Sequence, residues 1–308
     1  MSRIHEALKK AELERVSVYD DFAASSGDLQ RLAEIKPEHA PPVGLPALAQ
    51  PKIVAPEPQP NLRFEDLQAR CVQQWQPDPA ANVFSPGVSV KAAEQFRTLR
   101  SRLYQVRTNQ QLKTLLVTSA ISGEGKTFVA TNLGHAISRQ AERRVLLIDA
   151  DLRHSHMHVP LGAQRRPGLS DYLRGGVNEV GVIQYSPDNN LCIIAGGSEV
   201  SNPSELLSNG RLVTLLGRVA PLFEWVIVDS PPSVPVADAS VLAEHCDALV
   251  LVVRARMTPA SVLQKGLQEL QGRKIVGVVL NSVKEEVLGY AYRSAYGHDY
   301  LKETTPKT

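Results

Sequence analysis

The chain has 308 residues, which is enough for one large domain or two ordinary ones with sizeable hydrophobic cores. Its net charge of +2 is too small for a dedicated nucleic-acid surface, and no apolar run approaches the roughly 18 residues of a membrane span. Three widely separated cysteines show no metal-ligand spacing and fit reduced thiols in a cytosolic protein. We therefore expect a cytoplasmic protein that binds no nucleic acid and has no direct membrane span, so that any role at the membrane must come through a partner.

The first 88 residues are predicted to precede the folded domain. Residues 1–18 are predicted to form an amphipathic helix, because apolar residues recur there with helical spacing. The apolar face is narrow, which favours docking to a partner or local packing over direct membrane binding. Residues 19–88 are predicted to be a largely disordered linker, since residues 41–60 alone carry seven of the 21 prolines.

Residues 89–288 are predicted to form one domain in which strands and helices alternate. Helices are expected over 128–139, 203–219, 237–246 and 259–271. Short apolar runs between them are expected to form strands: KTLLVTSA (113–120), RVLLIDA (144–150), NLCIIAG (190–196), WVIVDS (225–230), DALVLVV (247–253) and KIVGVVLN (274–281). Continuous apolarity is typical of parallel strands covered on both faces. The pattern predicts a doubly wound, mostly parallel α/β sheet with helices on both faces and ligands at the carboxyl ends of its strands.

A glycine-rich segment, TSAISGEGKTF, follows the first predicted strand. A phosphate-binding loop needs flexible residues whose N–H groups surround an anion, a lysine for the phosphates and a hydroxyl for Mg²⁺. The predicted ATP-binding residues here are Ser122, Gly123, Glu124, Gly125, Lys126, Thr127 and Phe128. Ala120 occupies the position of the usual first glycine, which leaves open how tightly the first turn closes. The alternative is a glycine-rich turn with a chance Gly-Lys-Thr sequence.

Two acidic motifs each lie at the end of an apolar run. LLIDADLR places Asp149 and Asp151 at the end of the second strand, and WVIVDSPP places Asp229 at the end of a later one. Strand-end carboxylates beside a phosphate loop are how Mg²⁺ and its waters are held in phosphoryl transfer. Thr127, Asp149 and Asp229 are therefore the predicted metal-binding residues. The alternative is a strand-terminating turn for Asp229 and a solvated turn for Asp149 with Asp151.

Together these motifs resemble the bacterial tyrosine autokinases of capsule and exopolysaccharide loci, a P-loop NTPase family of the deviant Walker type. The resemblance extends from about residue 88 to residue 300. It is carried by EQFRTLRSRL, SGEGKT, LLIDADLR, GLSDYLRGG, NPSELL, VIVDSPP, PVADASVLA and GVVLNSV. The N-terminal SRIHEALKKAE also resembles the cytoplasmic branch found in exosortase-associated loci.

The resemblance implies a role for each site residue. Lys126 would stabilise the transferring phosphate, and Thr127 would bind Mg²⁺. Asp149 would position the metal and accept the tyrosyl proton, with Asp151 in support, while Asp229 would hold a metal-bound water. Catalytic residues are thus expected to be Lys126, Asp149 and Asp151. Asn281, at the end of the last strand, resembles a nucleotide-base contact of related ATPases; the alternative is a strand-end turn.

The tail, residues 289–308, contains four of the chain's eight tyrosines: Tyr290, Tyr292, Tyr296 and Tyr300. In the resembled family a C-terminal tyrosine cluster is phosphorylated by a neighbouring subunit, so these four are the expected phosphoacceptors. The alternative is that Tyr292, Tyr296 and Tyr300, at i, i+4, i+8, form one face of a terminal helix packed on the core.

Glu94, Arg97 and Arg100 follow the Glu-x-x-Arg-x-x-Arg pattern that joins family members into a ring. The alternative is a solvated helix face with internal charge pairs. The resemblance also implies a membrane polysaccharide co-polymerase or chain-length protein as activator, and a phosphotyrosine phosphatase. The implied function is tyrosine autophosphorylation that regulates exopolysaccharide polymerisation and export. Phosphates on the tail would loosen the ring by charge repulsion.

Two other functions compete with the kinase. One is an ATPase switch of the partition or positioning type, although such proteins usually carry a lysine where this chain has Ile121. The other is a nucleotide-binding regulator of polysaccharide co-polymerisation that has no kinase activity. Dehydrogenase chemistry fits less well, because the glycine spacing matches a triphosphate loop rather than a dinucleotide turn.

Overall fold

The computed structural model describes residues 62–71, 75–186 and 190–283. The predicted N-terminal helix (1–18), residues 19–61 of the predicted linker and the tyrosine-rich tail (289–308) lie outside the described residues. Within the described ranges, no helix combines the length and the apolarity needed to cross a bilayer.

Strands and helices alternate along the described part of the domain. The strands are β1 (Thr114–Ser119), β2 (Val145–Asp149), β3 (Ile183–Ser186), β4 (Leu191–Ile194), β5 (Trp225–Asp229), β6 (Ala248–Arg254) and β7 (Ile275–Asn281). The helices are α1 (Phe64–Arg70), α2 (Val90–Thr108), α3 (Lys126–Ser138), α4 (His158–Leu161), α5 (Leu169–Leu173), α6 (Glu179–Val182), α7 (Pro203–Leu207), α8 (Arg211–Val219), α9 (Asp238–Glu244) and α10 (Ala260–Glu269). All six predicted strands form, and β3 is an addition that the sequence did not predict.

The strands form one seven-stranded sheet in the order β3-β4-β2-β5-β1-β6-β7. Neighbouring strands are parallel except β3 and β4, which pair antiparallel. The carboxyl ends of β1, β2 and β5 therefore meet at the same edge, where doubly wound sheets bind ligands. The predicted doubly wound, mostly parallel α/β fold is confirmed.

The hydrophobic core lies on both faces of the sheet. In β2, Leu146 and Ile148 belong to one buried cluster, whereas Val145 and Leu147 belong to the other. All four side chains are fully buried. Complete burial of a leucine stabilises the fold by about 2 kcal/mol, so helices on both faces explain why the strand sequences are apolar without alternation.

Strand β7 is an exception because it lies at the edge of the sheet. Val278 is 59% exposed and Leu280 is 58% exposed, while their partners Leu251 and Val253 on β6 are buried. The prediction that this run is covered on both faces is wrong. Strand order places β7 at the edge, and the composition of a single run carries no information about strand order.

The packed domain begins before residue 89. Helix α1 lies in the predicted linker, yet Phe64 is 3% exposed and Leu67 is fully buried. The Phe64 ring packs edge-to-face against Tyr185, with 5.8 Å between ring centroids. Trp75 is also buried. The prediction of a disordered linker is therefore wrong for the described residues between 62 and 88.

A short apolar repeat explains this difference. Phe64, Leu67 and Cys71 follow i, i+3, i+7 spacing, and all three belong to one buried cluster. The repeat covers only two turns and directly follows the proline-rich segment. Tertiary contacts stabilise such a short helix, since isolated helices of this length are marginal in water.

The helix predicted over 203–219 is divided into α7 and α8. Gly210, between them, has a φ of 77°, in the left-handed region that ends helices. Helix α7 begins with Pro203 in its first turn, where a missing N–H costs no hydrogen bond.

Candidate functional site

The predicted phosphate loop lies between β1 and α3 at the carboxyl edge of the sheet. Gly123 and Gly125 have φ angles of 81° and 91°, in the left-handed region that favours glycine. A Cβ atom at Gly125 would lie 2.2 Å from Nδ2 of Asn281. Backbone conformation therefore favours glycine at both positions, and a side chain at Gly125 would also displace the Asn281 amide.

The first turn of the loop closes around an alanine. Ala120 is fully buried, and its carbonyl oxygen accepts a hydrogen bond from Val234 N at 3.2 Å. A Cβ atom at Gly266 of α10 would lie 2.9 Å from the Ala120 methyl group. The methyl group is accommodated because the neighbouring helix carries a glycine at this contact.

The side chain of Glu124 braces the loop. It is 1% exposed. Its Oε2 accepts a hydrogen bond from Ile121 N at 2.9 Å, and its Oε1 accepts bonds from Arg254 N at 3.2 Å and from the Thr258 hydroxyl. The Arg254 guanidinium donates in return to the carbonyl oxygen of Gly123 at 3.1 Å. Glu124 thus ties the loop to the end of β6 and to the turn that follows it.

Asn281 also contacts the loop. Its Nδ2 donates to the carbonyl oxygen of Glu124 at 2.9 Å, and its Oδ1 accepts from Ser282 N at 2.8 Å. The strand-end position is as predicted, and the side chain lies against the phosphate loop. Its role as a nucleotide-base contact stays a prediction.

Helix α3 starts at Lys126, directly after the loop. The Lys126 side chain is 7% exposed, and its positive charge acts to lower the pKa of Asp229. The helix N-terminus adds unpaired N–H groups and a positive dipole end. Together they provide hydrogen-bond donors and positive charge for an anion at the loop.

The carboxylates of Asp149 and Asp229 lie side by side, because these residues are register partners on β2 and β5. Both are buried. Thr127 Oγ1 donates to Asp229 Oδ2 at 2.5 Å. Asp149 Oδ2 accepts from Ser155 Oγ at 2.7 Å and from Met157 N at 3.1 Å. The structure thus brings the predicted metal-binding residues together.

Burial of this pair raises both acidic pKa values. The pKa of Asp149 rises to about 6, mainly because burial penalises the charged form. The pKa of Asp229 rises to about 8, first through burial and then through repulsion by the charge of Asp149. Two such carboxylates are more stable as anions when a cation binds beside them.

The oxygens of this pair fit that expectation. Asp149 Oδ1 and Asp229 Oδ1 are buried, and neither has a hydrogen-bond partner among the described residues. Buried acceptors are normally satisfied, so these two oxygens are suited to bind an ion, a water or a ligand. Oxygen ligands of this type are the ones Mg²⁺ prefers.

Asp151 lies in the turn after β2. It is partly exposed, and its Oδ1 accepts a hydrogen bond from His154 N at 3.0 Å. Its charge contributes to the raised pKa values of both Asp149 and Asp229. Asp151 is therefore near the buried pair and forms a third acidic group of the site.

The remaining predicted loop residues have different surroundings. Ser122 is exposed. Phe128 is 39% exposed, and its ring packs edge-to-face against Phe96 of α2 at 5.9 Å between centroids. Contact of either residue with ATP stays a prediction.

The predicted interface residues lie on α2. Glu94 and Arg97 form an exposed ion pair at 2.9 Å, which is the charge pair expected of a solvated helix face. Arg100 instead donates to the carbonyl oxygen of Ala136 at 2.7 Å. The ring interface stays a prediction, and the four acceptor tyrosines lie outside the described residues.

Sequence reasoning missed Arg254, Thr258 and Ser155. Thr258 meets Glu124 across 134 residues of chain, and no local pattern signals such a contact. Ser155 lies only six residues after Asp149, in the same turn. Its position soon after the LLIDADLR motif is the sequence feature that could have predicted its contact with Asp149.

Comparison with known proteins extends these observations. Residues 115–297 match the family model of the CobQ/CobB/MinD/ParA nucleotide binding domain. The putative tyrosine-protein kinase EpsB of Ralstonia solanacearum is 34% identical over 66% of this chain, and the match covers 27% of that protein. Tyrosine-protein kinase CpsD of Streptococcus agalactiae is 31% identical over 67% of this chain and 90% of that protein.

Among solved structures, the kinase domain of the Escherichia coli tyrosine kinase ETK is 31% identical, with a TM-score of 0.62. The match covers 74% of this chain and 87% of that domain. The chain thus matches nearly the full length of some relatives and little more than a quarter of others.

Proposed function

We propose that this chain transfers the γ-phosphoryl group of ATP to protein tyrosines. The chain belongs to the bacterial tyrosine-protein kinases and contains the CobQ/CobB/MinD/ParA nucleotide binding domain. One observation carries the proposal. A phosphate loop meets two buried carboxylates, and each carboxylate retains an oxygen without a partner among the described residues. Phosphoryl transfer needs this combination of anion binding and cation binding at one place.

The loop would bind the triphosphate. N–H groups around Gly123 and Gly125, together with the start of α3, provide donors for phosphate oxygens. Lys126 would contact the phosphate that is transferred. Thr127 and Asp229, already joined by a hydrogen bond, would hold Mg²⁺ directly or through water. Mg²⁺ would neutralise negative charge on the phosphates during transfer.

Asp149 would act as the general base. A tyrosine hydroxyl with a pKa of about 10 keeps its proton at neutral pH. As the phenol oxygen bonds to the γ-phosphorus and the bond to the ADP oxygen breaks, Asp149 would accept the phenol proton. Burial raises its pKa only to about 6, so the carboxylate is ionised at neutral pH, as a general base must be.

The acceptors would be Tyr290, Tyr292, Tyr296 and Tyr300 of a neighbouring subunit. The tail starts soon after β7, and Asn281 at the end of that strand contacts the phosphate loop. A ring joined through Glu94, Arg97 and Arg100 would bring each tail to another active site. Phosphorylation of the tail would regulate exopolysaccharide polymerisation at the inner face of the membrane. A membrane partner would activate the kinase, and a phosphatase would remove the phosphates.

Incubation of the purified chain with Mg-ATP, followed by detection of phosphotyrosine, tests the proposal. We expect label on the wild type, none on Lys126→Met, and retention in Lys265→Met, which changes an exposed lysine on α10. Replacement of the four tail tyrosines by phenylalanine should remove the label while ATP binding persists. ATP hydrolysis without phosphotyrosine would contradict the kinase and identify a switch ATPase. Nucleotide binding without either reaction would identify a regulator of co-polymerisation.

A further inference from the structure

Arg153, Asp238 and Ser204 form a polar cluster beside the site. Arg153 donates from Nε to Asp238 Oδ2 at 2.7 Å and from Nη2 to Asp238 Oδ1 at 3.1 Å. Arg153 Nη2 also lies 3.2 Å from Ser204 Oγ, and the Ser204 hydroxyl donates to Asp238 Oδ1. Both oxygens of the Asp238 carboxylate are therefore occupied.

The cluster joins three segments that are distant in sequence. Arg153 ends the LLIDADLR motif, Ser204 lies in NPSELL at the start of α7, and Asp238 lies in PVADAS at the start of α9. Asp238 is fully buried, whereas the Arg153 side chain is 34% exposed. A buried carboxylate is costly unless it is paired and hydrogen-bonded, so the fold depends on this pairing to retain Asp238.

Arg153 follows Asp151 by two residues in the turn after β2. The start of that turn is fixed by Asp149, and its end is fixed where Ser155 and Met157 donate to the Asp149 carboxylate. Between these points, Arg153 provides an anchor outside the turn. A bidentate guanidinium–carboxylate pair fixes orientation as well as distance, which a single lysine hydrogen bond does not.

We propose that Arg153, held by Asp238 and Ser204, is a positioning residue that fixes the turn carrying Asp151 and so holds the Asp151 carboxylate near Asp149 and Asp229. This inference rests on the proposed function of the site. In this interpretation the NPSELL and PVADAS segments share one role: both hold the turn after β2, which carries Asp151, in place. Arg153 acts through Asp151 and takes no part in the chemical step.

A purely structural role makes a different prediction. If the cluster only attached α7 and α9 to the sheet, replacing Arg153 would lower thermal stability and leave the metal dependence of nucleotide binding unchanged. A positioning role predicts that Arg153 and Asp151 act as one unit. Their substitutions would then be non-additive, since removing Asp151 leaves Arg153 nothing to position.

The experiment uses the full chain and the variants Arg153→Ala, Arg153→Lys, Asp151→Asn and Arg153→Ala/Asp151→Asn. Binding of a fluorescent ADP is measured over a Mg²⁺ titration, and phosphotyrosine formation is measured with kcat and KM for ATP separated. Arg273→Ala is the matched control, because Arg273 has the same 34% exposure and also forms an ion pair, with Glu244. Thermal unfolding of each variant monitors the fold.

We expect Arg153→Ala to lower kcat and weaken the Mg²⁺-dependent part of ADP binding by about tenfold to a hundredfold, the range typical of residues that orient metal ligands. Arg153→Lys should lose less, and the double variant should be no worse than Asp151→Asn. The inference would be overturned if Arg153→Ala changed kcat and Mg²⁺-dependent ADP binding no more than Arg273→Ala does. It would also be overturned if the fold-changes of Arg153→Ala and Asp151→Asn multiplied in the double variant. If the wild type forms no phosphotyrosine, the kinase proposal fails, and the Mg²⁺ titration still decides the role of Arg153.

Discussion

Two pairs of buried carboxylates near the phosphate loop differ in how their oxygens are satisfied. In Glu124 and Asp238 every carboxylate oxygen accepts a hydrogen bond from the protein. In Asp149 and Asp229 only one oxygen of each does so, and the other is buried without a partner among the described residues. The first pair holds loops in place, and the second pair is left ready for a ligand. Burial alone therefore does not separate structural carboxylates from functional ones, whereas hydrogen-bond accounting does.

The largest expected effect follows from removing the charge of an incompletely satisfied carboxylate. Asp149→Asn should lower kcat for phosphotyrosine formation by about a hundredfold or more, because it removes the proposed general base. Thermal stability should be kept, since an asparagine oxygen can still accept from Ser155 and Met157. Glu244→Gln, which changes an exposed carboxylate in an ion pair, serves as control. A variant with near wild-type kcat would contradict the assignment of Asp149.

The second prediction concerns pH. Burial raises the pKa of Asp229 to about 8, so the folded protein holds a proton that the unfolded chain has already lost. Stability without nucleotide should therefore fall as pH rises from near the unfolded pKa of about 4 towards 8. His135 has the opposite effect at low pH. Burial lowers its pKa from 6.5 to about 4, so the stability that it contributes is lost as pH falls from 6.5 to 4.

Between pH 6.5 and 8, above the pKa of about 6 of Asp149 and the ordinary pKa of His135, most of the remaining change in stability belongs to Asp229. The free energy of unfolding should decrease there by up to about 2 kcal/mol, and Asp229→Asn should remove most of that decrease. Urea denaturation in EDTA at several pH values measures the slope. Equal slopes for wild type and variant would show that Asp229 is already ionised in the folded protein.

The third prediction tests a fully satisfied carboxylate. Thr258→Val removes one of three donors to Glu124 and should loosen the loop, raising KM for ATP by about fivefold to tenfold, or about 1 to 1.4 kcal/mol, the net contribution of a typical intramolecular hydrogen bond. Thr258→Ser should restore the wild-type value. Thr214→Val, at an exposed threonine of α8 that bonds only a backbone carbonyl, is the control. A KM unchanged from that control would show that Glu124 does not need Thr258.

The smallest effect is expected at an exposed carboxylate. Glu94→Gln breaks the surface pair with Arg97, which should change the free energy of unfolding by no more than about 0.5 kcal/mol. If α2 forms the ring interface, the same variant should nevertheless reduce assembly, measured as native mass in the Lys126→Met background. Unchanged assembly would favour the solvated-face interpretation of Glu94 and Arg97.

Much of the site was predictable because its residues lie in contiguous motifs. Gly123, Gly125 and Lys126 are required by local conformation and by anion binding, and Asp149 and Asp229 each end an apolar strand. The bracing residues were not predictable in the same way. Arg254 and Thr258 reach Glu124 across 130 and 134 residues. The pairing of Arg153 with Asp238 spans 85 residues, and neither side chain signals the other in sequence.

The fold shows the same division. Apolar runs predicted the strands, since the runs of β1, β2, β4, β5 and β6 are buried along almost their full length. The edge position of β7 and the antiparallel β3 depend on strand order, which is a property of the whole sheet. Helix α1 was missed because its two-turn repeat gains stability only from contacts such as Phe64 with Tyr185.

The sequence by itself determined the phosphate loop, the strand-end acids and the doubly wound class, because each depends on residues that are close together in the chain. Tertiary structure alone decided which buried carboxylates are satisfied, and therefore which are free to bind a cation. It also decided that Gly266 leaves space for Ala120 at the first turn of the loop. The physical reason is common to all of these: hydrogen bonds and packing between distant segments depend on how strands and helices meet, and the local sequence of one segment does not specify its partners.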